Sequence, residues 1–218
     1  GLAGMLYGWA LQIDREGVAA HLLSYSFLGW NAIALAGLGR RLGSLNAGLL
    51  GAAMFLLIPV VAVYSLMTTI ELVWGFFLLM SFSALLSAAE APEGDSNRRA
   101  WLVSSGAFLG FAMASKYLAW FLPPAFVAGW LALRKREGGL GLSLREAGVV
   151  LAVGGALLLP WILKNALHYG NPIYPYFHEY ISPASAIQPG WRYVGSDAAY
   201  EFSKLGLSGY LKAYFTAP

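Results

Sequence analysis

Residues 18–39 read VAAHLLSYSFLGWNAIALAGLG and stop against Arg40 and Arg41. A helix needs about 20 mostly apolar residues to cross the hydrocarbon core of a bilayer. This stretch meets that length, and His21 is its one titratable polar side chain of note. Reading outward, the pattern recurs. Residues 45–66 form a second segment, with Pro59 near its far end, and a short MTTI turn leads into a third at 71–89. Residues 100–133 are apolar except for Ser115-Lys116-Tyr117 near the middle. One helix of that length overshoots the bilayer, so two segments meeting at Lys116 are expected, the second carrying Pro123-Pro124. A last strong span covers 147–163 and ends at Pro160-Trp161. Residues 1–12 are apolar but short, and read as the end of a truncated helix.

Composition agrees with a chain dissolved in lipid. Of 218 residues, 58% are hydrophobic and only 11% charged, where a soluble domain carries about a quarter charged residues. Mean hydropathy is +0.60. The 8 Trp, 12 Tyr and 12 Phe fit aromatic belts at two interfaces. Cysteine is absent, which rules out disulfides and thiolate metal sites and leaves the redox compartment open. The fold class expected is all-α: a polytopic transmembrane helical bundle with short loops and a re-entrant or interfacial outer segment. Residues 1–177 read as the helical domain, and 178–218 as an extracytoplasmic loop or interfacial segment leading to a further C-terminal part. The chain opens inside an apolar stretch and stops after an aromatic one, so a piece of a longer protein is expected.

Charge sets a topology. EAPEGDSNRR at 90–99 and RKREGGLGLSLRE at 134–146 read as polar loops. Cytoplasmic loops collect Lys and Arg. If Arg40 and Arg41 face the cytoplasm, successive crossings return Arg98 and Arg99, then Arg134, Lys135, Arg136 and Arg145, to the same side. The opposite side receives Asp14, Glu16, Glu71, Lys116, Lys164, His168 and the tail. Isolated polar residues gathered on one face point to where chemistry lies. The plainer alternative seats them among lipid headgroups.

Three places on that face can carry chemistry. Glu71 lies at the outer mouth of the third span. It reads either as a group that places substrate or as an interfacial helix-start carboxylate, favoured by the helix dipole and capped by Thr68 or Thr69. Lys116 either snorkels to the interface along its alkyl stem or acts as a point charge for a phosphate. The stretch PWILKNALHYGNPIYPYF at 160–177 is the most distinctive. Pro160 is expected to end or kink the helix. Lys164 and His168 are four residues apart and share a face if the helix continues one turn. Gly170-Asn171-Pro172 demands a turn, and Tyr174, Tyr176 and Phe177 then line the chain where it meets the membrane. His21, inside an apolar helix, is expected to be packed rather than to bind a ligand.

Other classes find no support. No P-loop, dinucleotide glycine pattern, HExxH or GxSxG is present. No pair of broken spans recurs in two similar halves, as inverted-repeat transporters have. The basic residues form a topological pattern and not a nucleic-acid-binding stripe.

Several of these stretches, in this order, resemble the bacterial GT-C superfamily of membrane glycosyltransferases, in particular its protein-mannosyltransferase-like and aminoarabinose-transferase-like branches. AAHLLSYSFLGWNAIALAGLGRRLG at 19–43 is similar to the family's helix ending in Arg-Arg. LNAGLLGAAMFLLIPVVAVYSLMTTIELVWGFFLL at 45–79 is similar to its next hairpin, where an acidic residue follows a short outer turn. Glu71 takes that place, where many relatives have Asp. GAFLGFAMASKYLAWFLPP at 106–124 resembles the helix pair meeting at Lys-Tyr, and 160–177 resembles its PW…N…GNP…YP element. The resemblance covers roughly 18–180.

It implies a polyprenyl-phosphate-sugar donor bound at the outer leaflet, and inverting transfer to an extracytoplasmic acceptor (lipid, glycan or protein). The setting implied is a bacterial inner membrane. Glu71, Lys116 and Lys164 become the catalytic candidates. Tyr117, Asn165, His168, Asn171, Tyr174 and Tyr176 become the substrate-binding ones. No metal ligand and no cofactor is assigned, and the sequence does not set whether a divalent cation takes part. The partners expected are the donor, membrane lipid and the acceptor, with no nucleic acid. The leaving group is a lipid phosphate, so a fixed cation can stabilise the charge that develops on it. A carboxylate must take the acceptor's proton. In the family that carboxylate lies in the first outer loop, of which this chain holds at best the end; Asp14 and Glu16 read as the lead-in to the next span. A carrier of a lipid-linked or anionic substrate is the alternative function, and a membrane scaffold a third.

Overall fold

A computed structural model describes residues 2–13, 16–134, 140–174, 176 and 181. Eight α-helices account for nearly all of them: α1 (Leu2–Ile13), α2 (Val18–Leu42), α3 (Leu45–Leu57), α4 (Pro59–Leu66), α5 (Glu71–Glu90), α6 (Ser96–Ser115), α7 (Pro123–Arg134) and α8 (Leu140–Tyr169). There is no strand among the described residues. The chain divides into two compact units, Gly1–Trp161 and Ile162–Pro218. The expectation for 178–218 lies, Ile181 apart, outside the described residues.

Apolar length makes α2, α5 and α8 long enough to cross a membrane, and the bent pair α3–α4 makes a fourth span if counted as one. The bend is 65°. The span expected over 45–66 is thus bent near Pro59, and the cause is local. Ile58 precedes a proline and is pushed to extended backbone, φ −67° and ψ 119°. Pro59 then starts α4, where its missing N–H is no loss. The break at Lys116 falls where the sequence places it. Lys116 is extended (φ −145°, ψ 131°), Tyr117–Phe121 form a 3-10 turn, and Pro123 opens α7.

Two further expectations need correction at α8. The polar loop at 134–146 is shorter than expected, since α8 already begins at Leu140. Pro160 does not end the helix, which runs through it to Tyr169. A proline inside a transmembrane helix frees one carbonyl, and neighbouring groups can satisfy it. His21 is exposed on α2 rather than packed.

Without water to squeeze out, helices in lipid associate through close packing and interhelical hydrogen bonds. Both are present. A Cβ on Gly106 would lie 2.6 Å from the Val150 carbonyl oxygen, and one on Gly110 would lie 2.8 Å from that of Gly154, so α6 and α8 meet backbone to backbone. Gly39 and Gly48 do the same for α2 and α3. Between α5 and α6, Ser81 Oγ donates to the Ser105 carbonyl at 2.8 Å, and Ser105 Oγ donates to the Ser81 carbonyl at 2.9 Å.

The charged residues sort to the two ends of the first unit. At one end the Arg41 guanidinium forks onto Glu90, with Nε at 2.8 Å and Nη2 at 2.6 Å. Arg98 meets Glu146 at 2.7 Å, and its Nη1 donates to the Ala91 carbonyl. Arg134 pairs with Glu93 and approaches Glu146 at 3.6 Å. Arg98 and Arg134 are 3% and 1% exposed, which only paired arginines tolerate. Trp130 lies beneath Arg98, 5.4 Å from guanidinium carbon to ring centroid. Thus the basic clusters of α2, α6, α7 and α8 do gather at one end, as the charge pattern predicts. Lys135 and Arg136 lie outside the described residues.

Candidate active site

The opposite end of the first unit is built around the turn between α4 and α5. Tyr7 Oη donates to the Thr69 carbonyl at 2.9 Å and sits 2.9 Å from Ser24 Oγ. Ser24 Oγ in turn donates to the Met67 carbonyl at 3.2 Å. One turn further along, Asn31 Nδ2 donates to the Leu72 carbonyl at 2.8 Å. Tyr7, Ser24 and Asn31 are all buried. Side chains of α1 and α2 therefore hold the turn's backbone carbonyls. The cap of α5 is not a threonine, as expected, but Ile70, which offers no side-chain acceptor.

Held in this way, Glu71 is the first residue of α5. Its Oε1 accepts from Lys116 Nζ at 3.0 Å. The two side chains are 27% and 29% exposed, so the pair sits at a rim, open on one side. Lys116 therefore neither snorkels alone nor stands apart from Glu71. An ammonium has three protons to donate. Glu71 takes one, and no acceptor for the other two occurs among the described residues.

Trp74 lies beside the pair, and a second group of rings begins at the residue after Lys116, Tyr117. Lys116 Nζ lies 5.3 Å from the centroid of Trp74, within cation–π range. Trp74 Nε1 is buried without an acceptor among the described residues. Tyr117 meets Trp120 edge to face at 5.1 Å, and Trp161 Nε1 points at Tyr117 Oη from 3.5 Å. Trp120 Nε1 donates to the Met113 carbonyl, which pins its ring. The result is a fixed positive charge with spare donors, a carboxylate that orients it, and apolar ring faces beside it. That arrangement suits a phosphate attached to something flat or greasy.

A family model described as dolichyl-phosphate-mannose-protein mannosyltransferase matches residues 7–163. The chain belongs to that family. It is a membrane glycosyltransferase whose donor is a polyprenyl- or dolichyl-phosphate sugar. Neither the curated proteins nor the solved structures hold a match. The stretch shared with the mannosyltransferase family contains Tyr7, Glu71, Lys116 and Tyr117, and closes one residue before Lys164.

In the second unit of this mannosyltransferase-family chain, Lys164 and His168 are exposed on one face of the last turns of α8. The turn after α8 follows the sequence expectation. Gly170 has φ 63°, a left-handed conformation that favours glycine. Asn171 Oδ1 accepts from Ile173 N at 3.0 Å, and its Nδ2 donates to the Tyr176 carbonyl at 2.8 Å. Asn165 Nδ2 reaches the Tyr174 carbonyl at 3.4 Å. Both asparagines are buried, and these bonds engage their amide groups with the backbone of the turn. Tyr174 stacks on Tyr169 at 4.2 Å, with the rings 13° from parallel. Tyr176 is exposed. Pro175 and Phe177 lie outside the described residues, as does Asp14.

The sequence did not single out Tyr7, Ser24, Asn31 or Trp74. The first three are polar side chains inside apolar helices, a pattern that does not by itself say which neighbour they bond. No group of three His, Cys, Asp or Glu able to hold a metal ion occurs among the described residues.

Proposed function

We propose that the Glu71–Lys116 end binds the phosphate of the lipid-linked donor and that its sugar passes there to an extracytoplasmic acceptor, a lipid, glycan or protein, with inversion. The observation that supports this reading is the lysine itself: an ammonium oriented by one carboxylate, with no second acceptor among the described residues and the Trp74 ring beside it.

In the reaction, the acceptor's nucleophilic atom forms a bond to the anomeric carbon as the bond from that carbon to the phosphate oxygen breaks. The electron pair leaves with the lipid phosphate. Lys116 meets the charge that grows on that oxygen, and pre-set electrostatics of this kind need no reorganisation during the step. The acceptor's proton passes to a carboxylate. Glu71, committed to Lys116, is the group that holds the cation in place rather than the one that takes that proton. Tyr117 presents a ring beside the sugar. In the second unit, the exposed Lys164 and His168 are candidate donor-binding groups in their own right, as are Tyr174 and Tyr176, and Asn165 and Asn171 shape the turn that carries these tyrosines.

The test is transfer of radiolabelled sugar from polyprenyl-phosphate donors in membranes containing the full-length protein, wild type beside Lys116→Met. Transfer by the wild type that the variant loses at equal protein level supports the reading. Unchanged transfer by Lys116→Met removes the lysine from it.

A further inference from the structure

At the arginine-rich end, a groove of about 470 Å³ opens between the start of α6 and the start of α8. Its lining mixes two characters: Leu102, Leu142 and Val149 are apolar, and Arg99 and Arg145 are basic. The groove also touches Asp95, Arg98 and Glu146. Three of these charges are already engaged. Asp95 caps α6 by accepting from Asn97 N at 2.9 Å. Arg98 and Glu146 hold each other at 2.7 Å. Arg99 and Arg145 are exposed and enter no ion pair among the described residues. Three arginines against Asp95 and Glu146 leave the charged lining net positive.

The surroundings say what kind of anion fits. Trp101, Leu140, Leu142 and Leu144, on the same opening turns of α6 and α8, are large apolar side chains left 45%, 67%, 42% and 48% exposed, so these helix starts also present apolar surface. A soluble anion gains nothing from an apolar wall. A phospholipid gains from both parts: its phosphodiester against Arg99 and Arg145, its acyl chain along Leu102, Leu142 and Val149. We propose that this groove is a binding site for an anionic phospholipid of the adjoining leaflet, distinct from the donor-binding end and independent of the transfer reaction.

The experiment is native mass spectrometry of the full-length protein, delipidated in detergent and then given phosphatidylglycerol or phosphatidylcholine. The wild type is expected to retain one phosphatidylglycerol in preference to phosphatidylcholine. Each basic group near a membrane surface contributes roughly a fivefold preference for anionic lipid. Arg99→Gln and Arg145→Gln should each lower retention by about that factor. Arg40→Gln removes an exposed arginine at the same end but outside the groove, and is expected to retain lipid like the wild type. Equal loss in Arg40→Gln would mean a diffuse charge effect and overturn the site. So would equal retention in all variants. Competition by glycerol phosphate as strong as by the whole lipid would overturn the lipid occupant in favour of a soluble phosphodiester. Matching thermal unfolding of the three variants distinguishes lost binding from lost structure.

Discussion

Lys116 Nζ and Glu71 Oε1 lie 3.0 Å apart although 45 residues separate them in the chain. Each sits where a helix begins or ends, and each was brought there by a break: the turn before α5 and the extended residue after α6. A pair assembled from two breaks behaves as one unit.

That unity predicts the outcome of a double-mutant cycle. Lys116→Met is expected to lower sugar transfer from the lipid-phosphate donor about a hundredfold, the size of losing one pre-set electrostatic group. Glu71→Gln should come close to it by releasing the lysine. The double variant should be scarcely worse than Lys116→Met alone, because groups that act together are not additive. Fully multiplicative losses in kcat/KM would mean that the two residues work separately.

The turn that carries Glu71 depends on α1 and α2. Tyr7→Phe keeps the ring and removes the hydroxyl that serves the Thr69 carbonyl. Interhelical hydrogen bonds in lipid average about 0.6 kcal/mol, so the expected loss of stability is small. Transfer should fall more than unfolding temperature does, since the freed carbonyl lies two residues from the carboxylate. A thermal shift larger than the activity loss would assign Tyr7 to folding alone.

Lys164→Ala offers a comparison from the second unit. If this lysine meets donor phosphate, transfer should drop about tenfold or more while the amount of protein in the membrane stays level. Parallel loss of both would mark a lysine that the fold needs.

Packing gives a prediction free of any functional reading. Gly110→Ala drives a methyl group to 2.8 Å from the Gly154 carbonyl oxygen and 2.9 Å from Leu157 Cβ. Overpacking of this kind is worth about 1–3 kcal/mol of stability. Gly155→Ala, with nothing within 4 Å of the added carbon, should unfold at or above the wild-type temperature. Equal behaviour of the two in detergent-solubilised thermal unfolding would mean that α6 and α8 do not meet so closely.

The opposite end carries the strongest stability prediction. Arg98→Met leaves Glu146 with only the distant arm of Arg134, and removing one partner of a buried ion pair is worth about 3–5 kcal/mol. Arg98→Met/Glu146→Leu should recover part of that loss. Failure of the second change to recover any of it would count against the pair as the cause.

The sequence made the apolar spans, the break at Lys116 and the sorting of charges legible, because each is a property of composition along a line. Lipid solvation turns length and hydropathy directly into a helix. The prolines were harder. Pro59 bends its span and Pro160 does not stop its helix, and which occurs depends on what lies beside the freed backbone groups. The candidate site was half legible. Glu71 and Lys116 each stood out as a charge in apolar sequence, but their pairing is tertiary, and so neither single reading of Lys116, as snorkel or as lone phosphate ligand, included its partner. Tyr7, Ser24 and Asn31 stayed hidden because a hydroxyl or amide in a helix looks the same whether it faces a neighbour's carbonyl or its own.

The reciprocal bonds between Ser81 and Ser105 have a consequence at a distance. Glu71 is ten residues before Ser81, and Lys116 eleven after Ser105. At about 1.5 Å per residue, both arms reach about 15 Å from the pin. The two helices thus work like the legs of a caliper joined at mid-length, with the carboxylate and the ammonium as its tips. A slide of one helical turn at the joint would open the tips by about 5.4 Å, and the two buried hydroxyls at mid-length oppose that slide from far away.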